Sequence, residues 1–158
     1  MGMRAFIPGL RPLKYICVIM QGYAHISPEE PRVGPDGSAF VGHYFIQSVP
    51  AVHGFIALDL SDPAHPVEVS RLKISDDYNP HWTAWDPLTK RIVITPKPMG
   101  SDARDRMYLL KIDPDTGALS VDQEFRDTDG KVGFSFASRA WPHGWSGPGL
   151  PHGAVFSR

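Results

Sequence analysis

The chain has a single cysteine, Cys17, among 158 residues. An intramolecular disulfide is therefore excluded, and a small buried apolar side chain is the ordinary use for a lone thiol. Long apolar runs are also missing. The longest near the amino terminus, Tyr15-Ile16-Cys17-Val18-Ile19-Met20, is far too short to span a bilayer. It reads as a strand of an incomplete unit, with a remnant leader behind Arg4, Arg11 and Lys14 as the alternative. Charge of either sign is not in excess: 16 Lys and Arg oppose 17 Asp and Glu, for a net −1 and a pI near 6.6. Neither nucleic acid nor an anionic membrane surface is expected as a partner, and the compartment stays open between cytoplasm and periplasm. No nucleophile elbow, phosphate-cradling glycine loop, dinucleotide fingerprint or His-x-x-x-His pair is present.

What the chain does contain is turn chemistry, with 16 prolines and 15 glycines. That composition suits short strands and frequent turns rather than helices. Residues 26–74 and 78–127 superimpose at a constant offset of 52 without a gap. Phe40-Val41 then falls on Ile92-Val93, Leu58 on Leu110, Leu60 on Ile112, and Ser61-Asp62-Pro63 on Asp113-Pro114-Asp115. Each copy holds four apolar runs, at 30–34, 38–47, 53–60 and 66–74 and then at 81–86, 90–95, 106–112 and 118–125. Such runs, bounded by Asp, Pro and Gly, predict strands. Four antiparallel strands recurring about every 50 residues are the sequence form of a β-propeller blade.

The expected fold is therefore all-β: a β-propeller segment of four-stranded antiparallel blades, about three blades in an incomplete ring. The expected divisions are an amino-terminal partial blade or remnant at 1–25, blades at 26–77 and 78–129, a Gly/Pro/Trp-rich loop at 130–150, and the inner strand of a further blade at 151–158. An arc of about three blades leaves faces uncovered. The remaining blades are expected from a longer chain or from self-association, and a shortened gene product is the third possibility.

Histidine supplies the candidate chemistry. Pro151-His152-Gly153-Ala154 restates Pro80-His81-Trp82-Thr83, so His81 and His152 open successive inner strands, and Glu29 takes that place in the first copy. Imidazoles gathered at one rim of a channel suit copper or another transition metal, with a carboxylate as third ligand. Hydrogen bonds to a neighbouring blade would explain the same Pro-His pairs. The candidate metal set is His81, His152 and Glu29, and the candidate ligand-binding set is His143, Trp145 and Trp82, the first two within the loop Trp141-Pro142-His143-Gly144-Trp145. Asp76-Asp77, Asp127 and Asp129 are weaker candidates for a hard cation. His43 and His53, flanking one loop, are expected to be solvated.

Several stretches resemble known propellers. Ile56-Ala57-Leu58-Asp59-Leu60-Ser61-Asp62-Pro63-Ala64-His65-Pro66-Val67 resembles the LVIVD repeat, and Pro80-His81-Trp82-Thr83-Ala84-Trp85-Asp86-Pro87 is similar to YVTN and lactonase-like repeats. Together with Trp141-Pro142-His143-Gly144 and the terminal Pro151-His152-Gly153, residues 28–158 look like the carboxy-terminal part of a bacterial seven-bladed propeller of the selenium-binding protein group. That resemblance implies a scaffold binding a small ligand or a metal ion at a channel rim. The alternatives it implies are a copper-dependent methanethiol oxidase and a lactonase. A module that binds a protein through the 130–149 loop is the remaining reading.

Overall fold

The computed structural model describes residues 3–5, 16–19, 33–34, 37–97, 106–141, 144–149, 151 and 153–156. They are β throughout, with one 3-10 turn at Pro50–Val52. Strands β1 (Met3–Ala5) and β2 (Ile16–Ile19) come first, followed by β3 (Val33–Gly34), β4 (Ser38–Val41), β5 (Tyr44–Val49), β6 (Gly54–Asp59) and β7 (Val67–Lys73). Next come β8 (Pro80–Asp86), β9 (Arg91–Pro96), β10 (Arg106–Ile112), β11 (Leu119–Val121) and β12 (Phe134–Ser135). The chain ends in β13 (Arg139–Ala140), β14 (Ser146–Gly147) and β15 (Gly153–Phe156).

These strands make three larger antiparallel sheets and a two-stranded β13-β14 hairpin. The first sheet runs β3-β4-β5-β6-β7, and the second runs β8-β9-β10-β11 with β12 added against β10. The third joins the two ends of the sequence, in the order β1-β2-β15. β4 lies against β8 and β7 against β11, so the first two meanders stack with inner strand on inner strand and outer on outer. β15 packs against β8 and β9 on the far side of the second sheet.

The second sheet is consequently buried on both faces, as its nearly continuous apolar strands predict. Ile92, Ile94 and Leu110 enter one core with Tyr44, Ile46, Phe55, Ala57 and the fully buried Tyr78 of the first sheet and its connection. Val93, Met107 and Leu109 turn the other way, into a core with Phe125, Phe136 and Ala154. Alternate residues of one strand thus serve different layers.

Every expected run in the two copies holds a strand, but β12, β13 and β14 fall in the stretch expected as a loop at 130–150, and two further corrections apply. The run at 38–47 is two strands, because Gly42 (φ +61°) and His43 turn the chain between Val41 and Tyr44. The gapless offset also fails in the inner half. The cross-strand row Trp85–Ile92–Leu110 is the counterpart of Phe40–Phe45–Leu58, so Phe40 matches Trp85 rather than Ile92. Only β6 and β10 keep the original spacing. Turns of unequal length before them absorb the difference, a change that a linear comparison without gaps misses. The outer strand also departs from simple alternation: a bulge between Ala57 and Leu58 shifts the register of β7, and Val67 and Val69 stay exposed.

The turns themselves form as their side chains dictate. Asp113 Oδ1 accepts the backbone N–H groups of Asp115 and Thr116 at 2.9 Å each, and Gly117 closes the turn at φ +72°. Asp86 does the same for Leu88 and Thr89. Where the inner strands meet, the first sheet uses glycine for contact: a Cβ on Gly37 would stand 1.7 Å from the carbonyl oxygen of His81.

Two-sided burial makes the second sheet the most sensitive part of the protein. Leu110→Ala should cost about 2–5 kcal/mol of unfolding free energy by urea titration, whereas Leu88→Ala, at a residue 77% exposed, should stay within about 0.5 kcal/mol. Equal losses from the two variants would contradict the layering.

Candidate functional site

Of the proposed metal set, only His81 falls among the described residues. Glu29 and His152 lie outside them, as does His143. His81 is partly buried at the start of β8, with its Nδ1 in the interior and its carbonyl against Gly37. Glu29 entered the set through the constant offset, and the cross-strand rows do not keep that offset in the inner strands. Among the described residues no three His, Cys, Asp or Glu side chains stand together as a metal site. The described residues therefore do not supply the donor set that the copper resemblance implies.

The remaining acids and histidines hold the chain to itself. Asp76 pairs with Lys73, Asp129 with Arg106 and Asp127 with Arg139, so these three of the four carboxylates considered for a cation already face cations of their own chain, while Asp77 accepts the Ser75 hydroxyl at 2.8 Å. Asp122, almost fully buried, receives Arg91 at 2.6 Å and Lys111 at 3.0 Å. Burial raises its pKa, but Arg91, Lys111 and the Glu124 N–H together outweigh that and hold it below the usual carboxylate value. His53 is not a solvated loop residue. It sits at φ +53° after the 3-10 turn, and its Nδ1–H donates to the Tyr78 carbonyl at 3.0 Å. His43 lies 3.7 Å from Asp59 and against the Tyr44 ring.

Trp82 and Trp145, both proposed as ligand-binding, separate in the structure. Trp82 is a seam between layers: its Nε1–H donates to the Ala154 carbonyl at 3.2 Å, and its indole lies beside Gly153. Trp145 remains 54% exposed. It stacks on Trp141 with ring centroids 6.2 Å apart and planes within 21°.

That exposed indole ends an aromatic series rooted in the core. Phe134 meets Phe136 edge to face at 5.1 Å, Phe136 meets Trp141 at 6.1 Å, and Trp141 carries Trp145. The glycines of this stretch explain themselves here. A Cβ on Gly149 would approach Trp141 to 2.6 Å, and one on Gly147 would approach Trp145 to 2.8 Å. Gly144, at φ +79°, turns the chain between the two tryptophans, and its N–H donates to the Trp141 carbonyl at 3.0 Å. The β13-β14 hairpin holds the frame, closed by Trp141 Nε1–H to the Gly147 carbonyl at 3.2 Å.

Asp127 locks this frame to the second sheet. Its carboxylate accepts the Ser135 N–H at 2.9 Å and the Arg139 guanidinium, while Arg139 Nε–H donates to the Ser135 carbonyl at 2.7 Å. Arg139 also lies 3.7 Å over the Phe134 ring. Burial of Asp127 raises its pKa, yet the Ser135 N–H, Arg139 and the Thr128 N–H outweigh it and lower the value below 3.8. No single motif in the sequence announces this carboxylate, since its partners lie eight and twelve residues away.

The chain matches no protein-family model, no curated protein and no solved structure.

A depressed carboxylate stabilises the fold above its unfolded pKa, and that contribution is lost as pH falls through the lower, folded value. Tryptophan quenching by acrylamide should therefore be flat from pH 7 to 5 and rise below the ordinary carboxylate range as the Asp127 lock opens. Asp127→Asn should show the raised quenching already at pH 7. A wild-type profile in that variant would remove Asp127 from the lock.

Proposed function

We propose that the stacked sheets are a segment of a β-propeller of the selenium-binding protein and LVIVD kind, serving as a scaffold for a loop that binds a small molecule. The observation that carries the binding reading is Trp145, an indole more than half in water yet held in place through Trp141 and the Asp127 lock. A lone exposed aromatic is ordinary on a protein surface. One stacked on a second tryptophan, with glycines cleared beneath both rings, is a preorganised flat surface.

Such a surface suits a ligand with a planar apolar face or a compact organic cation, because an indole face is both apolar and electron-rich. Rigidity matters as much as area, since ordering a side chain on binding costs about 0.5–1.5 kcal/mol and this indole is ordered beforehand. The residue proposed beside it, His143, belongs to the same short connection between the tryptophans. The aligned stacking of inner and outer strands supports the propeller reading. Catalysis draws no comparable support, since no described nucleophile, base and donor set converge near Trp145.

Fluorescence titration with choline and, separately, with benzyl alcohol should quench or shift the tryptophan emission saturably for at least one probe. Trp145→Ala should raise the dissociation constant of that probe at least about tenfold, and Trp82→Phe should leave it unchanged. Linear response to both probes in the wild type, or equal binding by Trp145→Ala, would sink the proposal.

A further inference from the structure

Polar side chains that enter the interface between the first two sheets are satisfied in two different ways. At its outer side they reach across directly. Ser70 Oγ of β7 accepts the Leu119 N–H at 2.9 Å, and the Tyr44 hydroxyl of β5 donates to the Asp115 carbonyl at 3.1 Å. Thr83 and Tyr78 depart from that pattern. Each is 0% exposed, and neither Thr83 Oγ1 nor the Tyr78 hydroxyl has a hydrogen-bond partner in the protein.

Register places both groups in one core. Thr83 lies opposite Ile94, and Ile94 opposite Tyr108, so the three form one cross-strand row of the second sheet. Ile94 and Tyr108 belong to the core shared with Tyr44, Ile46 and Phe55 of the first sheet, and cross-strand partners share a face, so Thr83 projects into that interface. Tyr78, in the connection before β8, lies in the same core. Its ring meets Tyr108 edge to face at 5.6 Å and Phe55 at 6.5 Å, which sets it between the two sheets. The first sheet turns the row Ala39–Ile46–Ala57 to this interface. Two of its three side chains are single methyl groups, which fill less of the space between layers than the rings and branched chains around them.

A buried hydroxyl left bare costs the fold as much as a lost hydrogen bond or more. Folded chains commonly meet that need with internal water. The neighbours shown for these two groups carry no charge: Ile94 beside Thr83, and the Phe55 and Tyr108 rings beside Tyr78. A hydroxyl both donates and accepts, so a neutral molecule of water's size suits these surroundings better than an ion. We infer that the interface between the first two sheets binds internal water at Thr83 Oγ1 and at the Tyr78 hydroxyl. The joint is then closed by solvent in its interior and by direct hydrogen bonds at its outer side.

Direct water-to-protein cross-relaxation in the wild-type chain should link long-lived water to the Thr83 methyl and to the Tyr78 ring protons. Oxygen-17 relaxation dispersion should report the same water as a slowly exchanging population. Thr83→Val and Tyr78→Phe keep the side-chain shape and remove the hydroxyl. Each should reduce the dispersion amplitude and lower the urea midpoint, because the water loses a partner. Thr83→Ser, which retains the hydroxyl, should retain the amplitude. Absence of either cross-peak in the wild type, a measurement that needs no variant to fold, would overturn the inference. So would an unchanged amplitude in either hydroxyl-free variant, or a raised urea midpoint, the result expected when a bare hydroxyl is removed.

Discussion

Burial of β9 and β10 on both faces is the constraint on which the other features depend. A strand with one wet face can alternate polar and apolar residues, but here Ile92 and Ile94 serve one core while Val93, between them, serves another. At about 1.5–3 kcal/mol for each fully buried large aliphatic side chain, this layer concentrates the driving force for folding. It also fixes the spacing of its neighbours. The first sheet must approach closely enough for Gly37 to touch the backbone of His81, and the third must let Trp82 cover Gly153.

The loop after β11 is an extension of the same core. Phe136 is buried beside Met107 and Leu109, and from it the rings proceed outward through Trp141 to Trp145. Polar groups secure what the rings leave open. Arg106 holds the Gly133 carbonyl and Asp129, and Asp127 gathers Ser135 and Arg139. An exposed indole can then be rigid without being buried, because each group beneath it is held by something deeper. The candidate site and the fold are in that sense one structure, and loosening the Asp127 lock changes the site before it changes the sheets.

Much of this was legible in the residues. Strand positions followed from apolar runs between Asp, Pro and Gly, and Asp113-Pro114-Asp115-Thr116-Gly117 formed the turn its side chains specify. Trp145 stood out as a candidate from its Gly-rich surroundings. Roles were harder to read. Trp82 has the same composition-level appeal as Trp145, yet it is spent on the Ala154 carbonyl. Asp127 looked like a possible cation ligand until its guanidinium partner came into view. The copy-to-copy comparison misassigned the inner strands because it counted residues through loops, whereas hydrogen-bonded rows count only residues that pair.

The sequence by itself determined that this chain is built from short antiparallel strands, since period, turn residues and β-branched content are local properties that each segment carries alone. Only the tertiary structure decided which histidines and tryptophans are structural and which aromatic faces water. That choice rests on what each side chain meets: Trp82 reaches Ala154 and His53 reaches Tyr78, whereas Phe40 stays 39% exposed beside Phe45 of the next strand. Such meetings depend on how layers stack, and stacking is set by the summed packing of whole sheets rather than by any one motif.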